Sequence, residues 1–128
     1  MAVLVGKPAP DFTVHAVLGN GEIVENFNLA AAIKGKYALV FFYPLDFTFV
    51  CPSELIALDH RIPDFKARNV EVVGVSIDSH FTHNAWRNTQ VDKGGIGTVK
   101  YTLVADITHD ICRTYDVEAA GGVAFRAP

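Results

Sequence analysis

The chain has 128 residues, half of them apolar, a formal net charge of −3 at pH 7 and two cysteines. This length and composition predict a single domain over residues 1–128. The mildly acidic balance gives no basic stripe, which argues against nucleic acid as a partner. No run of 18 apolar residues predicts a membrane span, and the first residues lack the pattern of a secretory signal. Two cysteines are too few for a disulfide framework, so we expect a cytoplasmic protein with reduced thiols.

The first third of the chain predicts a β-hairpin followed by a buried strand. Apolar residues alternate with polar or small ones on both sides of an Asn-Gly turn, which is a strong local hairpin signal. The alternating residues are Phe12, Val14 and Ala16 before the turn at 19–21, and Ile23 and Val24 after it. The run 37–43 is apolar throughout, as expected of a central strand covered on both faces.

A short loop leads from Pro44 to Cys51, and a helix is predicted to begin there. Pro52 suits the first turn of a helix, where its missing N–H is not needed. Apolar residues then recur at helical spacing at positions 55, 56, 58, 62 and 65. Pro63 is awkward inside a helix, because it removes a hydrogen bond, and it predicts a kink or a break.

The second half of the chain continues the alternation of strands and helices. We expect a buried strand over 70–77, and a helix that Asp78 or Ser79 caps and that runs through Trp86 to about Val91. A flexible loop at 94–97, a strand over 101–105 and a short helix over 108–115 follow, and 121–128 predicts a turn that enters another strand. This order is typical of an α/β fold with a central mixed sheet flanked by helices. Ligands of such sheets bind at the carboxyl ends of strands, which marks the Pro44–Cys51 loop as the candidate site.

Cys51 is the candidate nucleophile of this loop. It lies between the end of a strand and the start of a helix, where free N–H groups and the helix dipole stabilise an anion. Helix N-termini are among the places where the pKa of a cysteine is lowered, and the thiolate is the reactive form. The alternative is a buried structural cysteine, since free cysteine is among the most buried residue types.

The surroundings of Cys51 resemble a known family. The spacing Pro-x-x-x-Thr-x-x-Cys, here Pro44, Thr48 and Cys51, resembles the active-site signature of the peroxiredoxins. The longer run 41–54 is similar to the typical 2-Cys branch, which includes bacterial alkyl hydroperoxide reductases. The likeness extends to Gly-Lys-Pro-Ala-Pro-Asp-Phe at 6–12, Val-Val-Gly-Val-Ser-Ile-Asp-Ser at 72–79, the His83-x-x-Trp86 segment and Gly-Gly-Ile-Gly at 94–97. The resemblance implies a thioredoxin-like fold.

The resemblance also implies roles for four residues around Cys51. Thr48 would hydrogen-bond the thiolate and the incoming peroxide, and its alternative is an ordinary loop hydroxyl. Pro44 would shape the pocket and shield the sulfur, besides ending the strand. Arg126 would place a cation beside the thiolate, and its alternative is a solvated surface arginine. Glu54 would orient an arginine, or it is a first-turn carboxylate that the helix dipole favours.

The implied activity is that of an antioxidant thiol peroxidase. The Cys51 thiolate would attack a hydroperoxide and become a sulfenic acid, with no cofactor or metal, because sulfur carries the electrons. The implied partners are a hydroperoxide substrate, a thiol reductant such as thioredoxin or a dedicated reductase, and further copies of the chain in a homodimer or a larger homo-oligomer. The family's second, resolving cysteine belongs to a C-terminal segment that we expect this chain to lack. Cys112 is not at the matching position, and we interpret it as a core residue.

Two other functions are compatible with parts of the sequence. His80-x-x-His83 and His109-x-x-Cys112 offer four side chains of zinc-ligand type, each pair on one face of a predicted helix. Structural zinc sites, however, usually show tighter and cysteine-rich spacing. A non-enzymatic protein that binds unfolded clients through exposed strand edges is the second alternative. Metal analysis would test the first, and peroxide consumption with dithiothreitol the second.

Overall fold

The computed structural model describes residues 4–47 and 51–126, and within them strands and helices alternate along the chain. The strands are β1 (Thr13–Val17), β2 (Ile23–Asn28), β3 (Tyr37–Phe42), β4 (Val70–Ser76) and β5 (Thr102–Ala105). The α-helices are α1 (Leu29–Ala32), α2 (Cys51–His60), α3 (Ile62–Ala67), α4 (His80–Arg87) and α5 (Asp110–Thr114), and a 3-10 helix covers Val91–Lys93. None of the helices in these ranges has the length and apolar character needed to cross a bilayer.

The five strands form one mixed sheet in the order β2, β1, β5, β4, β3. β3, β4 and β5 are parallel to one another, while β1 pairs antiparallel with both β2 and β5. The α/β class, the mixed sheet and the N-terminal hairpin are therefore confirmed. Because β3, β4 and β5 are parallel, their carboxyl ends meet at one edge of the sheet, and the loop after β3 lies at that edge.

The hairpin turns where the Gly-Asn-Gly sequence predicts. The amide of Leu18 donates to the carbonyl of Glu22 over 2.8 Å, and the amide of Gly21 donates to the carbonyl of Leu18 over 2.9 Å. Gly21 has a φ of +90°, which a residue with a side chain rarely adopts. The turn residues thus fix the pairing that joins β1 and β2.

Apolar side chains pack on both faces of the sheet. Successive strand residues point to opposite faces, so Phe41 belongs to one cluster and Phe42 to the other. The first cluster joins the sheet to α2, α3 and α4 through Leu55, Ile62 and Trp86. The second cluster includes fully buried Cys112 of α5, so its interpretation as a core residue is confirmed.

The helix that starts at Cys51 breaks as Pro63 predicts, but two residues earlier. α2 ends at His60, and Arg61 precedes α3. Pro63 occupies the second position of α3, where a missing N–H is tolerated. The proline therefore lies just after the break, within the first turn of a new helix.

α4 ends at Arg87 and not near Val91, so its predicted end is wrong. Ser79 caps it by accepting a hydrogen bond from the amide of Thr82. The carbonyl of Trp86 then accepts from the amides of Thr89 at 3.2 Å and Ile96 at 3.3 Å, so no amide at position 90 extends the helix. The indole of Trp86 also donates to the carbonyl of Gly94 at 3.0 Å. The 94–97 segment is thus a loop, as expected, and it is tied to α4.

The last described segment folds back on itself. The amide of Ala119 donates to the carbonyl of Val123 over 2.7 Å, and the amide of Phe125 donates to the carbonyl of Val117 over 2.6 Å. Glu118 and Ala124 form an antiparallel bridge. The predicted turn is present, and within residues 4–47 and 51–126 it leads to this bridge and not to a further strand.

Candidate active site

The loop between β3 and α2 lies at the carboxyl edge of the parallel strands, as the sequence predicts. The amide of Tyr43 still donates to the carbonyl of Val75 over 3.1 Å, which continues the pairing of β3 with β4 for one residue. Pro44 is half-buried and follows directly. Cys51 is the first residue of the ten-residue helix α2. Its backbone therefore lies where the unpaired amides of a helix N-terminus are found.

Two predicted site groups lie outside the part of the chain that the structure describes. These are Thr48 as a whole and the side chain of Cys51. The hydrogen bond between the Thr48 hydroxyl and the sulfur stays a prediction, and so does the placement of the thiol in a pocket shaped by Pro44.

Arg126 and Glu54 lie together, although they are far apart in sequence. Nε of Arg126 is 2.8 Å from Oε2 of Glu54, and their side chains are 39% and 43% exposed. Glu54 belongs to the first turn of α2, the same turn that Cys51 begins. The arrangement fits an arginine oriented by a carboxylate beside the start of the helix. It also leaves the favourable interaction of Glu54 with the helix dipole in place, so both interpretations of Glu54 remain.

Arg126 is near the end of the chain, but the segment before it is anchored. The amide of Phe125 bonds to Val117, and Ala124 is buried. Glu118, which faces Ala124 across the bridge, accepts from Nε of Arg113 at 3.1 Å and lies 2.7 Å from Nδ1 of His109. The hydrogen bond to His109, followed by that to Arg113, holds the pKa of Glu118 below its ordinary value. These contacts anchor the turn that precedes Arg126 to α5.

A buried polar cluster behind the loop was not predicted from the sequence. Oδ2 of Asp46 is 2.7 Å from Nδ1 of His83, and Oδ1 of Asp46 accepts from the hydroxyl of Tyr43 at 2.7 Å. The amide of Asp46 donates to Oδ2 of Asp78 at 2.8 Å, and the hydroxyl of Ser76 donates to the same oxygen at 2.6 Å. The cluster thus joins the loop to the ends of β3 and β4 and to α4. The local signal for this cluster in the sequence was Asp46, a charged residue between apolar Leu45 and Phe47.

Burial and charge set the protonation of this cluster. Burial raises the pKa of Tyr43 well above its ordinary value, and the charge of Asp46 adds to the effect. The phenol therefore stays protonated and donates. Burial alone would lower the pKa of His83, but the hydrogen bond and charge of Asp46 outweigh it and hold that pKa above its ordinary value.

The zinc hypothesis from the two histidine-containing pairs is wrong in its choice of residues. Both ring nitrogens of His83 already face protein acceptors, Asp46 and the carbonyl of Val104, while His109 lies against Glu118. Cys112 lies in the core. Over the described ranges, the histidines, cysteines and acids that do converge are Asp46, Asp78 and His83. Both carboxylate oxygens of Asp46 and Oδ2 of Asp78 already face protein hydrogen-bond partners, so these residues form a hydrogen-bonded network.

Cys112 is a poor nucleophile in this structure. Its side chain is fully buried, and its amide donates to Oδ2 of Asp106 at 2.8 Å. Burial, with Asp106 adding to the effect, raises the pKa of the Cys112 thiol far above its ordinary value. The thiol therefore stays protonated at neutral pH, and the thiolate is the reactive form of cysteine.

Comparison with known proteins agrees with this geometry over nearly the whole chain. The sequence model of the AhpC/TSA family matches residues 5–127. Alkyl hydroperoxide reductase C of Helicobacter pylori (strain ATCC 700392 / 26695) is 52% identical over 124 residues, which are 97% of this chain and 63% of that protein. Peroxiredoxin-1 of Gallus gallus is 49% identical over 123 residues, 95% of this chain and 61% of its own length.

Solved structures give the same result for the fold. The reduced 2-Cys peroxiredoxin of Plasmodium vivax superposes with a TM-score of 0.90 at 51% identity, over 94% of this chain and 74% of that one. The AhpC of Enterococcus faecalis superposes with a TM-score of 0.81 at 36% identity, over 91% of this chain and 66% of that one. The chain spans about 63% of the length of the first curated relatives it matches.

Proposed function

Since the chain belongs to the AhpC/TSA family, we propose that it is a thiol-dependent peroxidase in which Cys51 reduces hydrogen peroxide and organic hydroperoxides. One observation carries the proposal. Cys51 begins a helix at the carboxyl edge of the parallel sheet, and the first turn of that helix holds Arg126 through Glu54. A helix N-terminus and a nearby cation both favour a thiolate over a thiol.

The proposed reaction is a two-electron displacement at oxygen. The sulfur of the Cys51 thiolate bonds to one peroxide oxygen, the O–O bond breaks, and the second oxygen leaves as hydroxide or alkoxide. The leaving group takes up a proton and departs as water or an alcohol, while sulfur is oxidised to the sulfenic acid. Two equivalents of an external thiol then restore the Cys51 thiol, giving a disulfide and water.

The site residues have distinct roles in this scheme. The hydroxyl of Thr48 accepts from or donates to the peroxide as it binds, since a hydroxyl can do both. The guanidinium of Arg126 stabilises the thiolate and the negative charge that develops on the leaving oxygen. Glu54 keeps that guanidinium at the start of α2. Pro44, half-buried where β3 ends, limits the access of water to the sulfur.

The reductant and the assembly belong to the same proposal. A thiol protein such as thioredoxin, or a dedicated reductase, would reduce the sulfenic acid, and a reducing compartment such as the cytosol would supply it. We also propose that copies of the chain associate as a homodimer or a larger homo-oligomer. Size-exclusion chromatography with light scattering tests the association.

Peroxide consumption with dithiothreitol as the reductant tests the function. The parent protein should consume hydrogen peroxide, Cys51→Ser should not, and Cys112→Ser should keep the parent rate of the first turnover. An equal loss of rate in both variants would contradict the assignment of Cys51 as the nucleophile. A parent protein that consumes no peroxide would instead favour the non-enzymatic, client-binding alternative.

A further inference from the structure

Asp46 and His83 form a closely spaced polar pair inside the protein. Oδ2 of Asp46 and Nδ1 of His83 are 2.7 Å apart, and both side chains are fully buried. The other carboxylate oxygen accepts from the hydroxyl of Tyr43 at 2.7 Å. Nε2 of His83 lies 2.9 Å from the carbonyl oxygen of Val104 in β5. Each polar atom of the pair is therefore engaged.

The neighbours of the pair determine how many protons it holds. A carbonyl oxygen can only accept, so the hydrogen bond to Val104 requires a hydrogen on Nε2 of His83. One further proton then lies between Nδ1 and Asp46, either as imidazolium with carboxylate or as imidazole with carboxylic acid. Both forms have no net charge, which makes the pair tolerable away from water. Removal of either partner leaves the other unpaired, and this is strongly unfavourable inside a protein.

The pair acts on the loop that carries the proposed nucleophile. Asp46 is the third residue of the Pro44–Cys51 loop, and its amide is held by the carboxylate of Asp78, which follows β4. Both the backbone and the side chain of this one loop residue are thus fixed. The fixed points come from the end of β3, the segment after β4, and α4.

Phe47, the next residue of the loop, has a strained backbone conformation. Phe47 has a φ of +59°, a left-handed conformation that a bulky residue rarely adopts. Its ring lies 5.9 Å from that of Trp86, one turn after His83 in α4. Such strain persists only where the surrounding structure holds the residue. Here α4 contacts Asp46 through His83 and the ring of Phe47 through Trp86.

We propose that Asp46 and His83 are positioning residues for peroxide reduction: as a buried pair they hold residues 44–47, the described part of the loop that leads to Cys51, in one conformation. The inference rests on the proposed function. Stability alone is a weak reason for such a pair, because well-packed apolar residues commonly replace buried ion pairs without loss of stability. The pair, unlike an apolar contact, fixes the direction and length of each contact to the loop.

The test compares two reactions of Cys51 in the same protein. Peroxide needs an ordered pocket around the sulfur, whereas iodoacetamide needs only an accessible thiolate. We therefore measure both second-order rate constants below the unfolding temperature, in the parent, Asp46→Asn, His83→Gln and Tyr43→Phe. The ratio of the peroxide rate to the iodoacetamide rate should fall about 10- to 100-fold in Asp46→Asn and His83→Gln, since misplacement of reacting groups has effects of this size.

Asp106→Asn is the matched control. Asp106 is also a buried carboxylate, 1% exposed, but its oxygens accept from amides of α5 and not from the loop. This variant should lose stability and keep the parent ratio. The double variant Asp46→Asn/His83→Gln should lose no more than the worse single variant, because the two residues act as one unit.

Each outcome distinguishes a positioning role in peroxide reduction from a role in stability alone. An unchanged ratio in folded Asp46→Asn, or effects that multiply in the double variant, would overturn the positioning role. If Asp46→Asn and His83→Gln do not fold, Tyr43→Phe decides: it keeps the buried ring and removes one donor to Asp46, and a ratio equal to that of the parent would overturn the proposal. A parent whose Cys51 reacts with iodoacetamide but not with peroxide would refute the proposed function itself.

Discussion

Nε of Arg126 lies 2.8 Å from Oε2 of Glu54, which joins the end of the described chain to the first turn of the helix that Cys51 begins. Because the two side chains are near 40% exposed, solvent weakens the pair, and its value is in orientation more than in stability. The pair thereby keeps the guanidinium at the N-terminal end of α2. The helix dipole at that end favours a negative charge, such as the proposed Cys51 thiolate.

Replacement of Arg126 should therefore slow peroxide reduction without unfolding the protein. Arg126→Ala removes a cation from the start of α2, so the pKa of Cys51 should rise and the peroxide rate constant should fall about 10- to 100-fold. Thiolate absorbance against pH gives the pKa, and stopped-flow mixing gives the rate. Arg61→Ala is the control. Arg61 also pairs with a carboxylate, that of Asp64 at 3.4 Å, but it lies between α2 and α3 and not at the start of α2. Coincident titrations of Arg126→Ala and the parent would place Arg126 away from the sulfur.

Cys112 should not react with thiol reagents in the folded protein. Burial and Asp106 keep its thiol protonated, and its side chain has no exposed surface. Iodoacetamide at pH 8 should modify Cys51 alone, and modification of Cys112 should follow only after denaturant is added. Peptide mass spectrometry of both samples measures this. Equal labelling of the two cysteines in the native protein would contradict the structure of the second core cluster.

The Glu118 anchor of the Arg126 segment should depend on pH in a defined direction. The hydrogen bonds from His109 and Arg113 hold the pKa of Glu118 below its ordinary value of 4.5. Its stabilising contribution is therefore fully present above pH 4.5 and is lost as the pH falls through the lower, folded-state pKa. Glu118→Gln should reduce the free energy of unfolding at pH 7, and its difference from the parent should shrink as the pH falls below 4.5, as urea titrations would show.

Asp92→Asn is the control for that comparison, because Asp92 is exposed in the 3-10 helix, away from the bridge. A difference between Glu118→Gln and the parent that is equally large at pH 3 and pH 7 would show that the carboxylate charge of Glu118 has no part in the anchor.

Turnover of this 128-residue chain should require an external thiol. The second cysteine lies in the core on the α5 side of the sheet, and a disulfide needs Cα atoms within about 7 Å and suitable side-chain directions. Without a partner thiol the sulfenic acid persists, and excess peroxide should convert it to sulfinic acid, which thiols do not reverse. Activity should therefore decay with peroxide dose. A prompt Cys51–Cys112 disulfide on a non-reducing gel would show that the chain resolves its own sulfenic acid.

Local signals were sufficient for most of the fold. The Gly-Asn-Gly turn and its flanking alternation define β1 and β2, and Pro63 marks the break between α2 and α3 to within two residues, because proline is tolerated at the start of a helix. The end of α4 was misjudged since it depends on a distant amide: Ile96 takes the carbonyl of Trp86. No periodic pattern within α4 contains that information.

The residues by themselves predicted the candidate site only where it is local in sequence, while Glu54 and Arg126, which lie together, were expected from the family resemblance. Cys51 was identified from its position between a strand and a helix, and the strand end and helix start are both present. The Asp46–His83 pair joins residues 37 positions apart, through packing that no short pattern encodes. The sequence gives His83 a place in a hypothetical zinc pair and in the segment that resembles the family, but it does not reveal that His83 and Asp46 lie 2.7 Å apart in the core.

The most direct test of the central claim is the site of oxidation after a single equivalent of peroxide. The parent protein is mixed with hydrogen peroxide in the presence of dimedone, which traps sulfenic acid, and peptide mass spectrometry locates the adduct. The proposed chemistry predicts an adduct at Cys51 in the parent and in Cys112→Ser, and none in Cys51→Ser. Peroxide consumption with no adduct at Cys51, or with an adduct at Cys112, would contradict the assignment of Cys51 as the nucleophile.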